Sequence, residues 1–418
     1  MRIEVLCTGD ELLTGVVPDT NSPWFMARLL RLGERVSRTT VVGDDRAAIR
    51  DALGEIAERA DVVLVSGGLG PTADDVTAEA AAEAAGVALV EDVATVARLR
   101  ERYARRQLPL SPNVLRQARV PAGAEVGAND VGAAPFFALT LGRCRALFVP
   151  GVPAEYRHLV ETQVLPRIER WRAPGSGAFS FRILKTIGLP EARLDEQVAP
   201  LSGRHPGVTF GFRVVPPESH LELLARGTTP EDAAAKLAAA EKDARAVLGE
   251  CVFGADEDTL AHVVVSMLGA RGETLTVAES CTGGLVAAAL TDVAGASQVF
   301  PGGAITYGAA LKTAFADVPA ELIAAKGEVS AEVARSMAEG IRARTGTTWA
   351  IAVTGYAGPG GGDPREPVGA VHLAVAGPTG MWHERHHFIG DRERVRRFAT
   401  GAALDLLRRR LHEREGER

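Results

Sequence analysis

Lysine is nearly missing from this chain. Of 47 basic residues only five, at positions 185, 236, 242, 312 and 326, are lysines, so arginine is the default cation and a lysine beside a polar motif stands out. Cysteine is also scarce. Cys7, Cys144, Cys251 and Cys281 lie far apart and form no Cys-x-x-Cys pair, which argues against a disulfide framework. This is cytosolic usage, with buried reduced thiols expected for the first three and a more exposed one at Cys281. Positive charge is not in excess: the net charge of −6 argues against a nucleic-acid footprint. Two uncharged runs, 293–311 and 345–362, reach membrane-spanning length but are broken by Gly, Pro, Ser and Thr. Arg2–Leu6 reads as a strand rather than a secretion signal, so a cytoplasmic protein without membrane contact is expected. No repeat of fixed period is visible, which excludes a solenoid.

What is present points to α/β architecture. At 418 residues, and roughly 150 per domain, two or three domains are expected. From residue 1 to 172, short apolar runs alternate with helical segments (Arg2–Thr8, Ser22–Leu32, Arg35–Val42, Asp44–Arg59, Asp61–Ser66), the pattern of a largely parallel sheet. Gly33 is placed to end the first helix and Asp44 to cap the second. The helix Pro153–Trp171 closes this unit before a linker by composition, Ala173-Pro174-Gly175-Ser176-Gly177. Residues 178–256 read strand, helix, strand, strand, helix, strand. That is a small α+β module of KH-like order, without the Gly-x-x-Gly clamp of RNA-binding versions, so a spacer or dimerisation role is favoured. Residues 257–418 return to α/β alternation and end in the helix Asp391–Arg410, whose Arg408-Arg409-Arg410 and following Glu/Arg tail read as a solvated helix end.

Two motifs in the last segment carry chemistry. In Thr276–Gly284 an apolar strand runs into Ser280 and then a glycine-paired helix start. Amides at Thr282, Gly283 and Gly284 would stabilise an oxyanion beside a serine nucleophile, unless Ser280 is only the N-cap of a helix Thr282–Asp292. In Gly303–Lys312 a second strand ends in Tyr307 and Lys312. A desolvated lysine can lose its proton and activate a hydroxyl, which arginine cannot; chance or an ion pair is the alternative. Ser280 is thus the candidate nucleophile, Lys312 its base and Tyr307 a proton donor. Cys281 is a competing nucleophile facing another direction. The glycine-rich loop Thr354–Gly362, including Thr354 and Gly355, would close over a ligand, and Arg392 or Arg396 would hold a phosphate.

The first domain places two loops at the carboxyl edge of its sheet, Thr8–Gly15 and Ser66–Asp75. Gly67, Gly68 and Gly70 would let amides approach phosphate oxygens, Thr72 adds a hydroxyl, and Asp10, Asp74 and Asp75 could hold a divalent ion; the two aspartates at 74–75 also suit a helix start. Turns at Ser111-Pro112-Asn113, Asn129–Pro135 and Phe148–Glu155 complete a rim, with Asn113 and Asn129 as polar contacts.

Together these motifs resemble the CinA family of competence/damage-inducible proteins over essentially the full length. Gly9-Asp10-Glu11-Leu12-Leu13, Asp19-Thr20-Asn21, Gly67–Thr72 with Asp74-Asp75, and Pro150-Gly151-Val152-Pro153 look like its molybdopterin-binding-like domain. Ala278–Gly284, Tyr307 with Lys312, Gly355–Pro359, Pro367-Val368-Gly369 and Gly390-Asp391-Arg392 look like its amidohydrolase domain. The sequence departs from the family pattern at Thr354, Tyr356 and Asp363–Glu366, where substrate contacts lie. The resemblance implies a Rossmann-like, molybdopterin-binding-type three-layer domain (1–172) that hydrolyses ADP-ribose with a divalent metal (magnesium, manganese or cobalt). It further implies a KH-like connector (178–256) and an α/β amidohydrolase domain (257–418) that deamidates nicotinamide mononucleotide (NMN) without a cofactor. Nucleotides are the expected partners, a homodimer the expected assembly. The rival readings are molybdopterin binding in the first domain, or an interaction protein tied to competence and DNA damage.

Overall fold

A computed structural model describes residues 1–173 and 177–416, so most of the expected linker lies outside the described residues. The chain forms two compact units, Met1–Ser180 with Gly227–Ala233, and Phe181–Arg226 with Ala234–Arg418. The strands in chain order are β1 (Ile3–Thr8), β2 (Val36–Val42), β3 (Val62–Ser66), β4 (Leu89–Glu91), β5 (Arg119–Pro121), β6 (Glu125–Gly127), β7 (Phe136–Leu141) and β8 (Cys144–Val149). There follow β9 (Ala178–Ile187), β10 (Val208–Val215), β11 (Glu218–Gly227), β12 (Val252–Ala255), β13 (Leu275–Glu279), β14 (Gly302–Ile305), β15 (Trp349–Gly355), β16 (Ala370–Gly377) and β17 (Gly380–His387).

The first unit is a three-layer α/β fold. Its sheet runs β2-β1-β3-β8-β7-β6, parallel through β8 and antiparallel at β7 and β6. Alternate residues of β3 feed two cores, which is why its run is continuously apolar. Val63 and Val65 meet Ile49, Leu53 and Ile56 of one helix layer, while Val62 and Leu64 meet Phe25, Leu29 and Leu159 of the other. Gly33, at φ +74°, follows the helix Asn21–Arg31 as expected. The next helix is capped by Asp45, not Asp44: Asp45 accepts from the Ala48 amide at 2.8 Å. The helix 153–171 passes through a π turn, Val160–Val164, just ahead of Pro166, whose missing N–H removes a helical hydrogen bond.

In the second unit the four-stranded sheet β10-β11-β9-β12 is covered on one face by Leu194, Val198 and Leu201 of helix Glu191–Ser202 and by Leu237, Ala240 and Ala244 of helix Pro230–Leu248. The larger sheet runs β14-β13-β15-β16-β17, parallel among β14, β13 and β15 and antiparallel beyond. Its two faces differ in side-chain size. Leu275, Val277, Ile351, Val353, Leu373 and Val375 pack on the helices Leu260–Arg271 and Arg392–Gly416. Ala278, Ala350, Ala352, Ala374 and Ala376 face the helix Ala331–Thr345 through Val333, Met337 and Ile341. Alanines on that face let the helix sit close to the sheet.

Two further sequence expectations fail. Arg408 is buried, binding Asp405 at 2.7 Å and the Glu250 carbonyl at 2.6 Å, and Arg409 joins Asp405 to Glu384. Arg408 and Arg409 therefore tie this part of the helix to its own unit rather than standing in solvent, while residues 417–418 of the expected tail lie outside the described residues. Among the thiols, Cys251 is half-buried and Cys281 buried, the reverse of the expected order. No helix among the described residues is long and apolar enough to cross a membrane.

Candidate functional site

At the carboxyl end of β13 sits a buried acid, Glu279, to which the sequence reading gave no role. Its carboxylate accepts the amides of Gly284 (2.9 Å), Val286 (3.2 Å) and Ala287 (2.8 Å). It thereby caps a helix that begins at Leu285, later than Thr282. Ser280 is consequently no N-cap. The Gly283 amide is spent on the Ser280 carbonyl at 3.0 Å and the Gly284 amide on Glu279, so two of the three expected oxyanion donors are occupied. Thr282, Gly283 and Gly284 do not border the cavity beside Ser280.

Freed from capping, Ser280 faces Lys312. The lysine Nζ lies 3.2 Å from Ser280 Oγ, 3.1 Å from the Thr306 carbonyl and 3.5 Å from that of Tyr307. The helix Ala309–Ala316 carries Lys312 inward until its side chain is 1% exposed. Burial pushes its ammonium below the ordinary lysine range; the Glu328 carboxylate, 3.6 Å away, opposes that shift. Burial pushes the Cys281 thiol up to about 12, which removes it as a nucleophile near neutral pH.

A cavity of about 210 Å³ opens beside this pair, with Glu328, Gly355, Tyr356 and Arg392 in its wall. Tyr307 contributes differently from expectation: its hydroxyl receives Arg392 Nη2 at 2.7 Å, while its carbonyl faces Ser280 and Lys312. Arg392 also donates to the Gly358 carbonyl at 2.9 Å. Arg396 is not in the cavity wall; it clamps the carbonyls of Cys281 (3.0 Å) and Thr282 (2.7 Å). Thr354 is buried and its hydroxyl holds the Glu328 carbonyl at 2.8 Å, so it supports the wall rather than lining it.

The first unit carries a larger cleft, about 490 Å³, at the carboxyl ends of β1, β3 and β8. Gly67, Gly68, Gly70, Asp74 and Asp75 line it. Gly67 adopts φ +109° with its absent Cβ 2.3 Å from the Thr8 carbonyl, so only glycine fits there. The proposed metal set is not brought together. Asp10 lies outside the lining, exchanging hydrogen bonds with Asp44: its Oδ1 accepts the Asp44 amide (3.2 Å) and its own amide donates back (3.0 Å). Burial raises the Asp44 carboxyl above its usual range, with the charges of Asp10, Glu11 and Asp74 adding to the rise. Asp75 accepts the Thr72 amide at 2.8 Å and hydroxyl at 2.6 Å, which also removes Thr72 from ligand duty. Among the described residues no three His, Cys, Asp or Glu side chains are grouped to hold a metal ion, so Asp10, Asp74 and Asp75 do not fit one as a set.

Asn113 is exposed on the short helix Pro112–Arg116, away from the cleft. Asn129 is buried and fully used, donating to the Ala134 carbonyl (2.8 Å) and Glu155 (2.7 Å) and accepting from Val131 and Gly132. It shapes the rim without lining it. Asn21, given no separate role in the sequence, lines the cleft, donates to the Gly151 carbonyl at 2.7 Å and leaves a buried Oδ1 without a partner.

Three family descriptions match the chain: "CinA C-terminal domain" over residues 257–411, "Probable molybdopterin binding domain" over 4–170 and "Damage-inducible protein CinA KH domain" over 181–254. A CinA-like protein of Myxococcus xanthus is 50% identical over 414 residues, covering 98% of each chain. A putative competence-damage inducible protein of Moorella thermoacetica is 41% identical over 412 residues, covering 98% of this chain and 99% of its own. The crystal structure of the competence/damage inducible protein CihA from Agrobacterium tumefaciens is 38% identical over 37% of this chain and 93% of its own, with a TM-score of 0.36.

Proposed function

This chain belongs to the CinA family, and we propose that its C-terminal domain is a serine–lysine amidohydrolase that converts NMN to nicotinate mononucleotide and ammonia. The observation that carries the reading is a lysine 1% exposed, with its Nζ 3.2 Å from a serine hydroxyl that faces a cavity. Burying an ammonium destabilises a fold, and the alternatives of core packing or a solvated ion pair do not require it.

In this mechanism neutral Lys312 takes the Ser280 proton as Oγ bonds to the carboxamide carbon. The resulting Lys312 ammonium returns that proton to the departing nitrogen when the C–N bond breaks, releasing ammonia and leaving an ester on Ser280. Water then attacks the ester, with Lys312 again accepting a proton and passing it back to Ser280. Lys312 therefore takes over the proton delivery first assigned to Tyr307, whose hydroxyl is held by Arg392. Arg392, positioned by Tyr307 and Gly358 in the cavity wall, is the phosphate partner. No oxyanion role is assigned to Thr282–Gly284.

For the first domain we infer a cleft for a nucleotide or pterin, supported by Gly67 and Gly68 at positive φ in its wall, where backbone amides and not the six lining carboxylates would meet a phosphate. ADP-ribose is the candidate ligand that the resemblance implies. No hydrolytic step is derived for it, because the aspartates do not form a metal set.

The test is ammonia release from NMN by the purified chain beside Ser280→Ala and Lys312→Ala. Release by the parent and loss in both variants is expected; release that survives Ser280→Ala rejects the serine, and none from a folded parent rejects the amidohydrolase.

A further inference from the structure

Glu328 is the one carboxylate among the described residues lining the cavity beside Ser280. Its side chain is 46% exposed, while that of Lys312, 3.6 Å away, is buried. The Thr354 hydroxyl fixes its carbonyl, so the acid is held in the wall from behind. It therefore faces two places for a cation: the lysine on its buried side and the open cavity on the other.

Four oxygens surround Lys312 Nζ: Thr306 O, Tyr307 O, Ser280 Oγ and Glu328 Oε2. An ammonium offers three N–H groups, and a nearby carboxylate favours that charged form. A neutral amine offers two, which the two carbonyls can take, leaving its lone pair for the Ser280 hydroxyl. The Cys281 thiol, also beside Lys312, is neutral near pH 7 and does not compete. Burial favours the neutral amine and Glu328 opposes it, so a second cation paired with Glu328 would tip the lysine further toward the neutral form.

We propose that Glu328 selects substrates whose carboxamide is carried on a positively charged ring, and that this ring, by pairing with Glu328, frees Lys312 to act on Ser280. The proposal rests on the amidohydrolase reading above and adds the basis of its substrate choice. The nicotinamide ring of NMN is a pyridinium cation; reduced NMN has nearly the same shape and the same phosphate, but its ring is neutral. When the cation seats, Lys312 sheds one proton to solvent through the open cavity, and no other bond changes.

Binding tests this without turnover. In the Ser280→Ala protein, calorimetry with NMN and with reduced NMN is expected to show about a fivefold preference for NMN, the scale of one partly exposed ion pair. Adding Glu328→Gln is expected to abolish the preference. Equal binding of the two forms, a preference that survives Glu328→Gln, or binding of neither overturns the proposal. A second readout uses the rarity of lysine: with ¹³C at Cε only five side chains give signals, and Lys312 is identified by its loss in Lys312→Ala. NMN is expected to move the Lys312 titration to lower pH and reduced NMN to leave it; no movement with NMN overturns the activation half. A chain that shows the binding preference but whose Ser280 form releases no ammonia would sink the amidohydrolase reading and leave the charge selection standing.

Discussion

The cleft of the first unit and the cavity beside Ser280 use the same position, the carboxyl edge of parallel strands, in different ways. In the first unit the polar side chains are spent on the loops themselves: Asp10 on Asp44, Asp75 on Thr72, and Asn129 on its own turn. What faces the cleft combines backbone bent by glycines with polar side chains such as Asp19, Asn21, Asp44 and Glu155. In the second unit the backbone amides are spent, on Glu279, and what faces the cavity is a serine with a lysine stripped of water. A site that joins glycine-bent backbone to polar side chains largely held by their own loops suits recognition. One built on a destabilised charge suits chemistry, because the energy of burying that charge is available to the reaction.

The largest expected effect separates the two sites. Lys312→Ala should lower ammonia release from NMN by about a thousandfold or more, the scale of removing a general base, while ligand binding to the first unit, read by calorimetry, stays unchanged. Lys312→Met sharpens the point. It should be equally inactive yet more stable by about 1 kcal/mol near pH 7, read by urea unfolding, because it replaces a buried cation. The sign follows from the lowered lysine pKa. Between that lowered value and the ordinary lysine value of 10.5 the unfolded chain binds a proton that the folded chain has shed, so the parent gains stability as pH rises through this window. The advantage of methionine should shrink accordingly.

Glu279→Gln should cost about 2 kcal/mol in urea unfolding, since a buried carboxylate accepting three amides becomes a neutral amide that cannot accept all three as well. In the first unit, Gly67→Ala should weaken ligand binding at its cleft while NMN turnover persists. The smallest effect is expected for Asn113→Ala, exposed and outside the cleft: within about 0.5 kcal/mol in stability, with ligand binding unaltered.

Ser280 and Lys312 were legible in the sequence because each was conspicuous locally: a serine at a glycine-rich strand end, and a lysine in a chain that prefers arginine. Glu328 was not, because it is one of 53 acidic residues and meets Lys312 only through the fold. Glu279 was overlooked although it precedes a helix start, where an acid has an electrostatic reason to be. Arg392 and Arg396 stand one helical turn apart and looked equivalent. Their separation into a cavity residue and a clamp on the serine turn depends on where that turn places its carbonyls. The parallel sheets and small α+β module were readable from alternation of apolar runs and helices. The choice of Asp45 over Asp44 as a cap, and the burial of Arg408, were decided by tertiary contacts that local pattern does not contain.

The most direct test of the central claim is to stop the reaction with NMN within milliseconds and weigh the peptides. The account predicts a transient ester of nicotinate mononucleotide, ribose phosphate included, on the peptide containing Ser280, absent in Ser280→Ala together with ammonia release. Turnover that proceeds with no ester on that peptide, and continues in Ser280→Ala, would contradict it.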